Sequence, residues 1–340
     1  MIFKLRFAVL LMTAFLIGHT PAHAGSVVDH ILAAGRLKCG AIAEPLDWNK
    51  SDLHASLAPL DAEMCRAVAT ALLGAPDRFD LQSYNSEPEG LAGLLRGKSD
   101  IVAGVTPNAG AAARDGVRFS VPFFLDGQGF MVHRAEGIRT VADIAGHKLC
   151  YIDGTDNDAI VLSTLAALRV RPVPFPFQEE GEMDAAIMDR HCQVSSALLS
   201  KLAEARSTFR NAHDYVLLPD LLTLVPATVA VDAGDARLAA IVDYTISALQ
   251  QAEFLGVTQA SAGSAPHSED PRVQRLLGED WATAQGLGLA HDWSRRVIEA
   301  VGNYGEVFDR SVGPGTPFNL PRGVNALWNK GGAVAPLPLQ

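Results

Sequence analysis

Thr106 and Arg114 are the residues of this chain whose types and setting first suggest chemistry. Both lie in residues 100–132, DIVAGVTPNAGAAARDGVRFSVPFFLDGQGFMV. The stretch opens as a buried strand at Ile101, Val102 and Ala103, breaks at Gly104, exposes Thr106 and Arg114, and returns as an apolar strand through Phe123 and Phe124. A polar loop at the carboxyl end of a strand is where open α/β sheets hold ligands. A guanidinium there forks onto a carboxylate with two parallel bonds. The plainer reading is a surface loop with a solvated arginine. Trp48 follows the first expected strand and is either a stacking surface for a ligand or an aromatic plug beneath its loop. Asp126, His133 and Asp156 are the groups available for proton transfer, yet no triad, metal pair or phosphate loop accompanies them. The histidines are scattered and no C-x-x-C occurs, so neither a metal nor a cofactor is expected.

The elements that must position these residues follow from periodicity. Residues 37–42 and 79–84 read as strands. Residues 60–73 form an amphipathic helix stopped by Gly74, and 89–96 a helix closed by Gly97. With the strand at residue 101 the order is βαβαβ, which implies a parallel sheet with right-handed crossovers. The pattern restarts after Gly129, with strands near 130, 148, 174 and 192. In this half Gly154-Thr155-Asp156-Asn157 caps a helix over 158–168. Strands near 216 and 224–231 lead back, and a long helix spans 237–255. Two such α/β units joined by Gly- or Pro-marked crossings predict two lobes around a cleft that closes by a hinge. Residues 25–128 with 224–340 make one lobe and 129–223 the other.

Residues 1–24 have the build of a secretory signal peptide. Lys4 and Arg6 precede an apolar core over 7–17, too short to span a bilayer, and Ala22-His23-Ala24 is an A-x-A cleavage site. The protein after cleavage is expected to be soluble and periplasmic. Without Lys4 and Arg6 it is two charges more acidic than the formal −10 of the whole chain, which argues against nucleic acid and anionic lipid as partners. The sequence has 4 cysteines, all in the exported part. An even count in an oxidising compartment suggests two disulfides, and proximity in sequence favours Cys39 with Cys65 and Cys150 with Cys192 among three connectivities.

Several stretches carry a family resemblance across almost the whole exported chain. They are Leu37-Lys38-Cys39-Gly40, Cys65-Arg66-Ala67-Val68-Ala69, Asp126-Gly127-Gln128-Gly129-Phe130-Met131-Val132, Leu255-Gly256-Val257-Thr258-Gln259-Ala260, Val301-Gly302-Asn303-Tyr304-Gly305-Glu306 and Leu320-Pro321-Arg322-Gly323-Val324-Asn325-Ala326-Leu327-Trp328. The chain resembles the extracytoplasmic solute-binding proteins of polar amino-acid ABC transporters, in particular their general L-amino-acid branch. The resemblance implies an α/β, two-lobed, type II periplasmic binding protein fold with a hinge, and it supports the same two disulfides. It also implies a monomeric receptor that captures a small polar ligand, an amino acid or related amine or acid, and delivers it to an inner-membrane permease. A sensory ligand-presenting module and a periplasmic dehydratase on the same fold are the alternatives.

The resemblance assigns Thr106 and Arg114 to the ligand loop of lobe one. It assigns Gly154-Thr155 to the start of the lobe-two helix that meets the ligand carboxylate, as free N–H groups and a positive dipole end would allow. Asp156 stands where the family usually has another hydroxyl, and either the ligand is not an ordinary α-amino acid or Asp156 and Asn157 take its ammonium in a different pose. It places Ser196 in the stretch after Cys192. Two departures stand out. The family's Thr-x-Thr-x-x-Arg is replaced by a stretch that reads as a lengthened loop, with Arg118 a rival to Arg114. The family's acid after the cysteine strand, which holds the ligand ammonium, is missing from Ser195-Ser196-Ala197-Leu198-Leu199. Asp156 would in addition repel a carboxylate. Ordinary L-amino acids are therefore expected to bind weakly.

Overall fold

The computed structural model describes residues 26–42, 58–264, 268–279 and 281–339. Trp48 and the expected leader, residues 1–24, lie outside the described residues. In chain order the elements are α1 (Val27–Ala34), β1 (Leu37–Ile42), α2 (Ala58–Leu73), β2 (Phe79–Tyr84), α3 (Glu87–Leu95), β3 (Ile101–Val105), α4 (Ala109–Arg114), β4 (Val117–Phe119), β5 (Phe124–Asp126) and β6 (Gln128–His133). There follow β7 (Lys148–Ile152), α5 (Asp156–Ala167), β8 (Val173–Phe177), α6 (Glu180–Met188), β9 (Val194–Leu198), α7 (Leu199–Thr208), β10 (Tyr215–Leu217), β11 (Val225–Asp232) and α8 (Ala236–Phe254). Four helices close the described chain: α9 (Pro271–Gln274), α10 (Trp281–Leu287), α11 (Trp293–Val301) and α12 (Tyr304–Ser311).

Among the described residues the strands form two sheets, ordered β2-β1-β3-β11-β4, with β5 on β11, and β10-β6-β9-β7-β8. Each has the expected parallel βαβαβ core. In the first sheet β1 pairs in parallel with β2 and β3; in the second β7 pairs in parallel with β8 and β9. Periodicity showed the strands near 130, 216 and 224–231 but not that they pair antiparallel within these sheets. β11 returns through the first sheet beside β3, with Thr228 opposite Val105, and β6 enters the second beside β9, with Gln128 opposite Leu198. Such pairings join segments over 60 residues apart in sequence, and local pattern carries no trace of them.

The chain leaves the first sheet between Asp126 and Gln128 and returns to it before Val225. The two crossings touch: the Gln128 amide donates to Thr223 Oγ1 at 2.9 Å, and the Leu222 amide to the Gln128 carbonyl at 2.8 Å. A Cβ on Gly127 would overlap the Thr223 carbonyl, so only glycine lets the strands pass this closely. The register brings the carboxyl ends of β1 and β3 and those of β7 and β9 to the edges from which the crossings spring.

Both disulfides are present. Cys39 on β1 joins Cys65 on α2 with Cα atoms 5.9 Å apart, and Cys150 on β7 joins Cys192 just before β9 at 6.0 Å. All four cysteines are buried in the apolar core. Among the described residues no helix is long and apolar enough to cross a membrane.

Candidate functional site: the cleft walls

The first wall begins where β3 ends. The residues between Thr106 and Arg114 are not a loop, as their composition suggested, but the short helix α4. Asn108 caps it, its Oδ1 accepting from the Ala111 amide at 3.1 Å. Alanines favour the helical state once a capped start exists. Arg114 is the last residue of α4. Its guanidinium folds back over Gly110, where any Cβ would obstruct it, and it makes no ion pair among the described residues. Arg118 is not a rival. Its Nη2 pairs with Asp243 Oδ2 of α8 at 3.1 Å, and the second Asp243 oxygen accepts from the Val121 amide at 2.8 Å.

Thr106 is already engaged. Its amide donates to Glu87 Oε2 at 3.1 Å and its hydroxyl to Glu87 Oε1 at 2.9 Å. Beside this pair, Asp61 of α2 is 1 % exposed, pressed against Gly104 at a backbone φ of 80° that suits glycine. Its Oδ1 has no hydrogen-bond partner. Burial, and secondarily the charge of Glu87, holds the Asp61 carboxyl well above the ordinary carboxylate range.

The second wall gathers the predicted Thr155 and Ser196. They line a cavity of about 190 Å³ with Gln128, Tyr151, Asp158, Glu180, Leu198 and Lys201. Thr155 caps α5, its hydroxyl accepting from the Asp158 amide at 3.4 Å, and Asp158 Oδ2 accepts from the Gly154 amide at 2.8 Å. The carboxylate that completes this cap is Asp158, and Asp156 and Asn157 occupy the first turn of α5. Burial, joined by the charges of Asp153 and Asp158, raises the Tyr151 phenol. Ser196 is 3 % exposed; its hydroxyl donates to the Gly129 carbonyl at 2.9 Å and accepts from Gln128 Nε2 at 3.0 Å. Gln128 Oε1 is left without a partner in a residue 2 % exposed. Gln128, Lys201, Asp158 and Glu180 had not been singled out. Their signal is spatial: they come from four different elements.

Leu198 occupies the N-cap of α7 and offers its amides nothing. The crossing strand supplies the cap. Asp126 Oδ1 accepts from the Ser200 amide at 3.2 Å and from Gly127 at 2.8 Å, and Oδ2 accepts from the Ser200 hydroxyl. Burial raises the Asp126 carboxyl, and these bonds oppose the rise. His133 is likewise engaged, its Nδ1 accepting from the Ala135 amide at 3.1 Å while its ring meets Tyr215 edge-on. Among the described residues no group of His, Cys, Asp and Glu is arranged to hold a metal ion.

No family model matches this chain. It is 32 % identical over 319 residues to a general L-amino acid-binding periplasmic protein of Rhizobium johnstonii, covering 93 % of each chain. The chain belongs to the periplasmic amino-acid-binding proteins of ABC transporters. A glutamate/glutamine/aspartate/asparagine-binding protein of Rhodobacter capsulatus is 30 % identical, with 94 % of this chain and 95 % of that one covered. Among solved structures, an ABC-transporter periplasmic binding protein from Brucella ovis with glutathione bound matches at a TM-score of 0.75 and 31 % identity, covering 93 % of this chain and all of the other. A polar amino-acid uptake binding protein of Streptococcus thermophilus shares the fold alone, at 15 % identity, a TM-score of 0.52 and coverage of 69 % and 88 %. The chain thus has the expected two-lobed α/β periplasmic binding protein fold and is a solute-binding receptor of the amino-acid transporter class.

Proposed function

We propose that this receptor captures a small polar, amino-acid-derived solute and reads it chiefly from the second wall. The observation that carries this is the cavity of about 190 Å³ at the carboxyl ends of β7 and β9. Lys201 presents an ammonium to a ligand carboxylate, while Glu180, Asp158 and the unpaired Gln128 Oε1 accept from a ligand ammonium. A wall carrying both signs suits a zwitterion held differently from the family's usual pose. Arg114, without an ion pair at the last residue of α4, is the contribution of the opposite rim, and Thr155 orients the helix end.

The rest of the proposal concerns setting. The leader is removed after Ala24 and the protein works in the periplasm as a monomer, handing its solute to an inner-membrane permease and performing no chemistry. Residues 25–128 with 224–340 move as one lobe and 129–223 as the other, about the paired crossings at Gly127 and Thr223. A thermal-shift screen of the leader-free protein with L-amino acids, small amines and glutathione tests the reading, since a ligand that binds only the native state raises the melting temperature. At least one solute is expected to do so, with ordinary L-amino acids among the weaker. Calorimetry that finds submicromolar binding of several common L-amino acids overturns the altered pose, and silence across the whole screen overturns the receptor reading.

A further inference from the structure

The donors of Thr106 form a ready carboxylate site, and the protein has filled it with its own side chain. One amide N–H and one hydroxyl, aimed side by side, meet the two oxygens of Glu87 at 3.1 and 2.9 Å. This fork sits immediately after β3, at the strand end where an α/β sheet takes ligands. A carboxylate arriving from solvent needs those same donors. It would have to displace Glu87, whose two oxygens hold both donors. Two carboxylates, the ligand's and that of Glu87, held together in a closing cleft without compensation are unfavourable. The free guanidinium of Arg114 draws a carboxylate to this rim, but the fork that would complete its capture is taken.

We infer that Glu87 is a specificity-determining residue of this receptor, an internal competitor that keeps ligand carboxylates off the first wall. The inference deepens the reading of the cleft given above and rests on it. Glu87 excludes by charge and by occupation of two donors, so its removal changes affinity in a way that depends on ligand class. Loss of a purely structural contact would weaken all ligands alike.

The test is calorimetry on the leader-free wild type, Glu87→Gln and Glu87→Ala, with succinate, L-glutamine and the carboxylate-free diamine putrescine as probes. Glu87→Ala is expected to bind succinate and L-glutamine at least tenfold more tightly than wild type, with putrescine unchanged or weaker. Glu87→Gln, which keeps an acceptor but not the charge, is expected to gain less, and its gain decides the matter if the alanine variant fails to fold. Carboxylate affinities within threefold of wild type in folded variants overturn the inference. Tight L-glutamine binding by wild type and both variants alike overturns it too and leaves the receptor reading standing. Silence of all three proteins toward these probes and toward the broader screen removes both.

Discussion

The two cleft walls are built alike and prepared differently. Each is the carboxyl edge of a parallel βαβαβ unit, and each starts a helix there. In the first, the groups at the strand end are spent within the wall, Thr106 on Glu87 and Asn108 on the Ala111 amide, and Arg114 stands apart from them at the end of α4. In the second, Lys201 has only a 3.4 Å contact to Glu204, and Gln128 Oε1 has no partner at all. The difference teaches that a strand end becomes a reader only if its side chains are left unsatisfied by the fold. Architecture supplies the place, and unfilled donors and acceptors supply the recognition.

The largest effects that would sharpen this comparison come from the disulfides, one in each half. Replacing Cys39 and Cys65, or Cys150 and Cys192, by alanine is expected to cost about 3–4 kcal/mol for loops of 26 and 42 residues. Urea denaturation measures the loss, and a cost near zero for either pair would show that its half does not depend on its bond. Next comes binding. Lys201→Ala is expected to weaken the best solute by about tenfold to a hundredfold, the worth of a charge-assisted bond of roughly 1.5–3 kcal/mol. Thr106→Val should change affinity by less than about threefold, because its donors already serve Glu87. Calorimetry showing the reverse order would break the contrast between the walls.

A smaller effect reads out as pH dependence. Burial, with Glu180 and Glu204 nearby, raises the Asp184 carboxyl from 3.8 to about 6, and its Oδ1 has no partner. Because the folded value lies above the unfolded one, the protonated form favours folding. That benefit is whole below about pH 4 and lost as pH rises through 6. Asp184→Asn is expected to stabilise the protein at pH 7 by about 1–2 kcal/mol, after discounting for its partial exposure, and to gain nothing near pH 4. Denaturation curves at the two pH values check this. Last, Leu198→Asp combined with Asp156→Thr is expected to improve L-glutamine affinity by about tenfold, near 1.4 kcal/mol. It should barely move stability, since Asp126 already serves the Ser200 amide. No gain on calorimetry would show that position 198 does not face the ligand ammonium.

Much of the fold was legible because its determinants are local. Amphipathic periods marked the helices, Gly74 and Gly97 their ends, and Thr155 a helix start, all within a few residues of the feature they specify. The order of the cysteines favoured the correct pairing by proximity. Composition misled at residues 109–114, where small residues looked like a loop; a capping bond from Asn108 starts a helix there.

What the tertiary structure alone decided is which polar groups are spent. Arg118 and Asp243 are 125 positions apart, Asp126 and Ser200 74, and Gln128 and Ser196 68. None of these pairs has a local signature, because each joins elements far apart in sequence that meet only in the folded molecule. The sequence by itself determined the two α/β units, the cysteine framework and the residues able to do chemistry. Whether each of those residues faces a ligand or another part of the same chain depends on contacts of high sequence separation, and those belong to the folded molecule.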